Sequence, residues 1–422
     1  VADDEKVLSI KFNTKQAQAA LKRLDKHIVK IEKGTLAAGK TFEKSVGKKA
    51  VRAVNKLNRK LKVTTLNLRT MRSGLDKVHR ATRIAAAGFA ALGGISVRNA
   101  IELNEGMANV STLLSGGIEQ VQGFKREVQD LSVETGKGTD DMAEGLYEVV
   151  SALGENVRNM GQLRIASRAA VAGRSSTLGA VKLLAAVTKG YGDTSEGAMK
   201  KVSDLAFQTV RLGQTTFPEL AASMGRVIPL AAAMNTSQEE LFATMATATG
   251  VTGDTSEVAT QVASVYSAML KPTGALNEAV DKINKSNKDY NFESGAAMMK
   301  TLGFRKTLIL LNGAVDGNEG KLAKLLKRKE ALVIALALLG GQSDVYKQKL
   351  DEMGDVVGST DEAYRRQTEG INKQGHEWEK TKQRMTVFSQ RLGNKLLPVL
   401  DRLLDKLEPV LKYLENMSEE TM

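Results

Sequence analysis

Between residues 50 and 85, eleven positions follow one another at intervals of four and three: Ala50, Val54, Leu57, Leu61, Thr64, Leu68, Met71, Leu75, Val78, Thr82 and Ala85. Nine of the eleven are apolar. This spacing is the seam of a coiled coil, in which each apolar side chain seats between residues of a facing helix. An extended helix cannot bury such a stripe on its own, so the seam calls for a partner, either another copy or another segment. The other faces carry an unusual charge. From Gly47 to Arg83 they hold twelve lysines and arginines against one acid, Asp76. Coiled coils mix signs on their flanks because like charges repel. This one calls for something negative around it.

The charge is local. Residues 1 to 100 carry 23 lysines and arginines against 7 aspartates and glutamates, a net of +16, while the whole chain is +13. Three surroundings suit such a quarter: nucleic acid or an anionic membrane bound through a basic amphipathic helix, an acidic protein sheath, or plain solvent. Base stacking has little to work with, since Phe12, Phe42 and Phe89 are the only aromatics there.

Composition fixes the fold class as all-α. Only 4% of residues are aromatic and five are proline, while good helix formers abound. The run VLSIKF from Val7 to Phe12 alone alternates like a strand. The absence of cysteine excludes disulfides and thiolate metal sites and fits a reducing cytoplasm or stability from packing alone. His27, His79 and His376 stand far apart without zinc-site spacing. No metal or cofactor is expected. The segment GTLAAGKT, Gly34 to Thr41, spells a phosphate loop. However, it follows a heptad helix (Ala17, Leu21, Leu24, Ile28, Ile31) where a phosphate loop follows a strand, so it reads as a joint between helices. The apolar runs Ile84 to Ile95 and Ala331 to Gly341 fall short of the roughly 20 residues of a membrane span and read as buried helix or helix junction. The chain starts at Val1 without a leader and reads as trimmed or incomplete.

From about residue 100 the pattern changes to short helices. Capping boxes are expected at Asp193/Glu196, Thr216/Glu219, Thr236/Glu239 and Asp254/Glu257. The pentapeptide GDTSE occurs at Gly192 and again at Gly253, ending one helix and starting the next. The acid pairs Asp140-Asp141 and Glu239-Glu240 fall at helix starts, where they complement the helix dipole. No nucleophile stands beside a base, so no enzyme is expected. The last segment returns to heptads, with Leu396, Leu400, Leu403, Leu407, Val410, Leu414 and Met417 forming a second seam. Pro398 and Pro409 should kink or restart that helix. Trp378, the one tryptophan, reads as a packing anchor. Three regions result: a basic heptad region over 1–95, a helical core over 96–340 and a Pro-interrupted heptad segment over 341–422.

The run from Gly190 to Gly250, above all LGQTTFPELAASMG (Leu212 to Gly225), closely resembles the core of tail tape measure proteins of long-tailed phages and phage-derived tails. GVTGDTSEVATQVASVYSAMLKPT after it does too. LGNKLLPVLDRLLDKLEPVLKYL (Leu392 to Leu414) resembles the segment that follows that core, and LSIKFNTKQAQAALKRLDK (Leu8 to Lys26) is similar to the usual start. The resemblance implies a structural protein that sets tail length, scaffolds the tail tube and leaves the tail at genome ejection. It implies partners too: tail tube protein, tail assembly chaperones, tail tip or baseplate proteins, and further copies in a trimer or hexamer. The place implied is the lumen of the tail in the virion, and the host cytoplasm during assembly. Family members are commonly longer, with membrane-active or wall-degrading segments after the core.

Overall fold

The chain divides into two units, Val1–Ala86 and Ala87–Met422. A computed structural model describes residues 94–419, all in the second. The first seam, with Val54, Leu57, Leu61, Leu68, Met71, Leu75 and Val78, therefore lies outside the described residues, as do the Val7–Phe12 run and the Gly34–Thr41 segment.

The described residues are all-α, with no strand among them. α1 covers 94–111 and α2 Ile118–Thr135. α3 (Thr139–Leu153), α4 (Asn159–Ala172) and α5 (Thr177–Gly190) pack on one another. α6 (Glu196–Leu212) leads through α7 (Phe217–Ser223) and α8 (Ile228–Ala233) to α9 (Gln238–Thr252) and α10 (Thr255–Leu270). Then come α11 (Gly274–Ser286), α12 (Gly295–Leu302), α13 (Phe304–Ala314), α14 (Glu319–Leu326) and α15 (Lys329–Leu339). α16 (Ser343–Glu352), α17 (Ser359–Thr368) and α18 (Lys373–Glu419) close the chain.

α9 lies at the centre. Every residue from Glu240 to Thr249 is buried, which is possible because its threonines bond back to their own helix and Glu240 finds partners on α13. The hydroxyls of Thr244, Thr247 and Thr249 donate to the carbonyls of Glu240, Ala243 and Met245 at 2.7, 2.8 and 2.8 Å. A threonine bonded back to its own helix presents mainly its methyl to a neighbour. Small residues then bring helices close. A Cβ at Gly145 of α3 would stand 2.5 Å from the Thr177 methyl of α5, and one at Gly173 2.7 Å from the Phe217 ring. The apolar run after Ala331 is α15, buried through Ala331, Ile334, Ala335 and Leu338.

Beyond residue 340 the chain stays in this body. Tyr346, Met353 and Val356 belong to the main core. The Tyr346 hydroxyl bonds Thr244, and Lys349 Nζ donates to the Ala246 carbonyl at 3.0 Å. α17 packs on α4 and α6.

Several expectations need correction. Of the four capping boxes only Thr216/Glu219 forms in full, with Glu219 N–H donating to Thr216 Oγ1 at 3.3 Å and Thr216 N–H to Glu219 Oε2 at 2.8 Å. α6 is capped by Ser195 and α9 by Ser237, one or two residues past the expected caps. Asp193 instead accepts from Ser195 N–H at 2.9 Å, a local turn that delays the helix. Asp254 does cap α10, accepting from Glu257 N–H at 2.7 Å, but no reciprocal bond closes the box. The two GDTSE glycines share one role, since Gly192 and Gly253 have φ of 80° and 72°, a left-handed backbone that glycine adopts without steric cost.

Both acid pairs do fall in the first turn of a helix, α3 and α9. Asp141 in addition caps a neighbouring helix, accepting from Thr177 N–H at 3.0 Å. Glu240 does the same for α13, accepting from Phe304 and Arg305 N–H at 3.0 and 2.9 Å. α18 runs 47 residues through Pro398 and Pro409 without restarting, because each proline removes a single hydrogen bond from a long ladder. Trp378 anchors nothing in the core and is 61% exposed.

Candidate functional site: the α18 junction

The N-terminal end of α1 and the middle of α18 meet, although their residues stand about 290 apart in sequence. α1 opens the described residues and α18 closes them.

The contact is polar. On α18 the inward positions are His376, Lys380, Gln383, Val387, Gln390 and Asn394, which repeat at four and three. Gln390 Nε2 donates to Thr139 Oγ1 at 2.6 Å, and Gln129 Nε2 donates to Gln390 Oε1 at 3.0 Å. Arg391 Nε donates to Gln129 Oε1 at 3.2 Å, completing a relay across α3, α18 and α2. Below it Ser132 Oγ donates to Gln383 Oε1 at 3.3 Å. Toward α1, Asn104 Nδ2 donates to Asn394 Oδ1 at 3.1 Å and Asn99 Nδ2 to Ser389 Oγ at 3.2 Å. Lys125 Nζ joins α2 to the same Asn104 at 2.5 Å, and burial holds its ammonium below the usual lysine range. Gly393 lets the two helices touch: a Cβ there would run into the Ser96 carbonyl oxygen.

Such an interface specifies geometry more than it adds stability. Each hydrogen bond replaces one with water and nets only about 0.5–1.5 kcal/mol. A mispaired register, in contrast, strands buried amides without partners. α18 is thus held in one position by polar groups, with Val387 its buried apolar side chain there.

α17 supplies the second hold. Asp204 of α6, 2% exposed, accepts from Gly358 and Thr360 N–H at 2.9 and 2.8 Å, capping α17 from outside. The Arg168 guanidinium lies 4.9 Å from the Tyr364 ring centre, and Lys200 pairs with Asp361 at 2.9 Å.

His376 gives the junction a pH response. It is buried, edge-on to Tyr364 at 6.3 Å. Burial first, then the Lys380 ammonium, hold it below its ordinary 6.5, with Glu377 opposing. A histidine depressed in the fold takes up protons more readily unfolded. The stability it contributes is therefore complete above pH 6.5 and is lost as pH falls through the folded value. Taking the protein from about pH 7.5 to about pH 5.5 is expected to lower the midpoint of thermal unfolding more in the wild type than in His376→Gln. Equal slopes in the two proteins would assign the response elsewhere.

Of the second seam, Leu396 is half-buried where α18 leaves α1. Leu400, Leu403, Leu407, Val410 and Leu414 lie on the same continuous helix, with side chains outside the described residues. Reading for apolar repeats misses the inward face of α18 because its four-three spacing is filled with His, Lys, Gln and Asn. Spacing without hydrophobicity is the signal that finds it. Among the described residues no group of three or more His, Cys, Asp or Glu comes together as a metal site, and no helix is long and apolar enough to cross a membrane.

The described residues form a helical body whose last helix is held by a polar clasp. Comparison with known proteins puts it in a class. A family profile described as phage-related minor tail protein matches residues 125–340, half of the chain, and the chain belongs to that family. It is also 27% identical over 295 residues to a "Probable tape measure protein" of Clostridium phage phiCD119. That alignment covers 67% of this chain and 31% of the relative, so the chain spans about a third of the relative's length. No solved structure matches.

Proposed function

We propose that this chain is part of a tail tape measure protein, a structural component that sets tail length, scaffolds the tube and is released at genome ejection. The observation that carries the reading is the alignment over 295 residues to a relative of that name, within a tail protein family. The two heptad segments supply the physical means. A helix advances about 1.5 Å per residue, so chain length converts linearly into distance. The net +16 of residues 1–100 suits a narrow lumen walled by acidic tube protein, which supplies the counter-charge that the seam helices lack. Chaperones would hold the chain in the host cytoplasm before tube assembly, and tip or baseplate proteins would bind one end. Three or six copies would share the lumen.

In-frame removal of whole heptads between Ala50 and Ala85 is expected to shorten tails by about 10 Å per heptad, seven residues at about 1.5 Å each. Electron micrographs measure this directly. Tails of unchanged length would remove that segment from the ruler.

A further inference from the structure

Lys321, Lys324, Lys327, Arg328 and Lys329 put five cations into nine residues with no acid among them, and all five are exposed. Residues 101–422 together carry 38 basic against 41 acidic side chains, so the charge is concentrated here. No ion pair ties any of the five to an acid among the described residues. Three of them sit where they work against the fold. Arg328 is the N-cap of α15 and Lys329 its first residue, with no side chain capping the helix. Positive charge at a helix N-terminus opposes the helix dipole. Lys327 has φ 62° and ψ −37°, and the Arg328 N–H donates to the Leu326 carbonyl at 2.7 Å. That is the rare, strained form of γ-turn. Such strain persists only where packing enforces it, and it gathers at binding sites. Here buried Leu326 and Ala331 fix the two ends.

α15 supplies the rest of the surface. From Ala331 to Leu339 it carries no polar side chain, yet only Ala331, Ile334, Ala335 and Leu338 are buried. On its outward side Lys329, Val333, Leu336 and Gly340 follow at four, three and four. Val333 is 37% exposed, and Leu332, Leu336 and Ala337 beside it are half-buried. This is the spacing that receives the side chains of another helix.

We propose that the turn at 327–329 and the outward face of α15 dock an acidic amphipathic helix of a partner protein. Its apolar side chains seat along the strip from Lys329 to Gly340, about 16 Å at about 1.5 Å per residue. Its acids meet the unpaired cations. Acids are favoured in a helix's first turn, so the partner runs parallel to α15. Other occupants fit less well. The first quarter of this chain, at +16, or a second copy of the turn would bring like charge to it. A membrane surface favours Trp or Tyr anchors and single-stranded nucleic acid favours stacking aromatics, but residues 319–341 hold no aromatic. Duplex DNA leaves the apolar face uncovered.

The probe is a fluorescein-labelled helical peptide with leucines at four-three spacing and glutamates in its first two turns. Its control has lysines in place of the glutamates. Fluorescence anisotropy with the full-length chain is expected to show the control binding about ten-fold more weakly. Arg328→Ser/Lys329→Glu and, separately, Val333→Glu are each expected to weaken the acidic peptide by about ten-fold. The charge of the first quarter acts on wild type and variants alike, so the differences report this surface. Arg328→Ser/Lys329→Glu should also raise the midpoint of thermal unfolding, because it gives α15 an N-cap hydroxyl and a first-turn acid. Cations that served only the fold would lower it. Equal binding of the two peptides, unchanged binding by either variant, or a lowered midpoint would each overturn the proposal. So would loss of binding to phosphatidylglycerol vesicles or duplex DNA in the variants while peptide binding stays. The assay needs no tails, so its failure leaves the tail-length reading standing.

Discussion

Phe304→Ala is expected to destabilise the protein by about 4 kcal/mol, the cost of lost burial plus the cavity left behind. Phe304 is fully buried, with its ring edge-to-face to Tyr266 at 5.1 Å and 61°. It sits at the start of α13, where its N–H bonds Glu240 of the central helix. Alanine keeps that N–H, so the loss isolates the ring. Urea unfolding measures it, and Phe304→Leu should lose less by filling part of the space. A loss below about 1 kcal/mol for alanine would mean that this part of the body is not packed as described.

Asp204→Ala is expected to cost about 3 kcal/mol, because two backbone N–H groups lose a charged acceptor at once. The place of the loss matters as much as its size. Asp204 holds the start of α17, through Gly358 and Thr360. Hydrogen exchange should therefore rise over 358–398 well before α9 and α10 respond. Asp204→Asn, which keeps the shape and one acceptor, should fall between the two. Uniform loss of protection across the body would show that α17 and α18 are not separately held.

These two cases also mark how far the residues alone could be read. The start of α13 could be placed near Gly303, but Glu240, which caps it, stands 63 residues earlier and reads locally as a helix-start acid. Asp204 carries no cue at all, sitting in the middle of α6. Long-range caps escape sequence reading because donor and acceptor belong to different helices. Only local ones, such as Thr216 with Glu219, are written within four residues. The α18 junction was legible in half. The leucine seam announces itself, while the inward face repeats at the same spacing in polar residues that resemble a solvated surface.

The second GDTSE shows the division most plainly. Both copies place a left-handed glycine, which five identical letters are enough to demand. The helix then begins at Glu196 in the first and at Thr255 in the second. Thr255 is buried, bonding Thr215 Oγ1 at 2.7 Å and Glu219 Oε2 at 3.4 Å, and that contact draws α10 two residues further back. Helical class, breaks, charge and heptad spacing are local or periodic properties, and the sequence by itself determined them. Which residue caps which helix, and which face of α18 turns inward, depended on neighbours distant in the chain. Only the tertiary structure decided those, because a buried polar group takes whatever partner packing brings within reach.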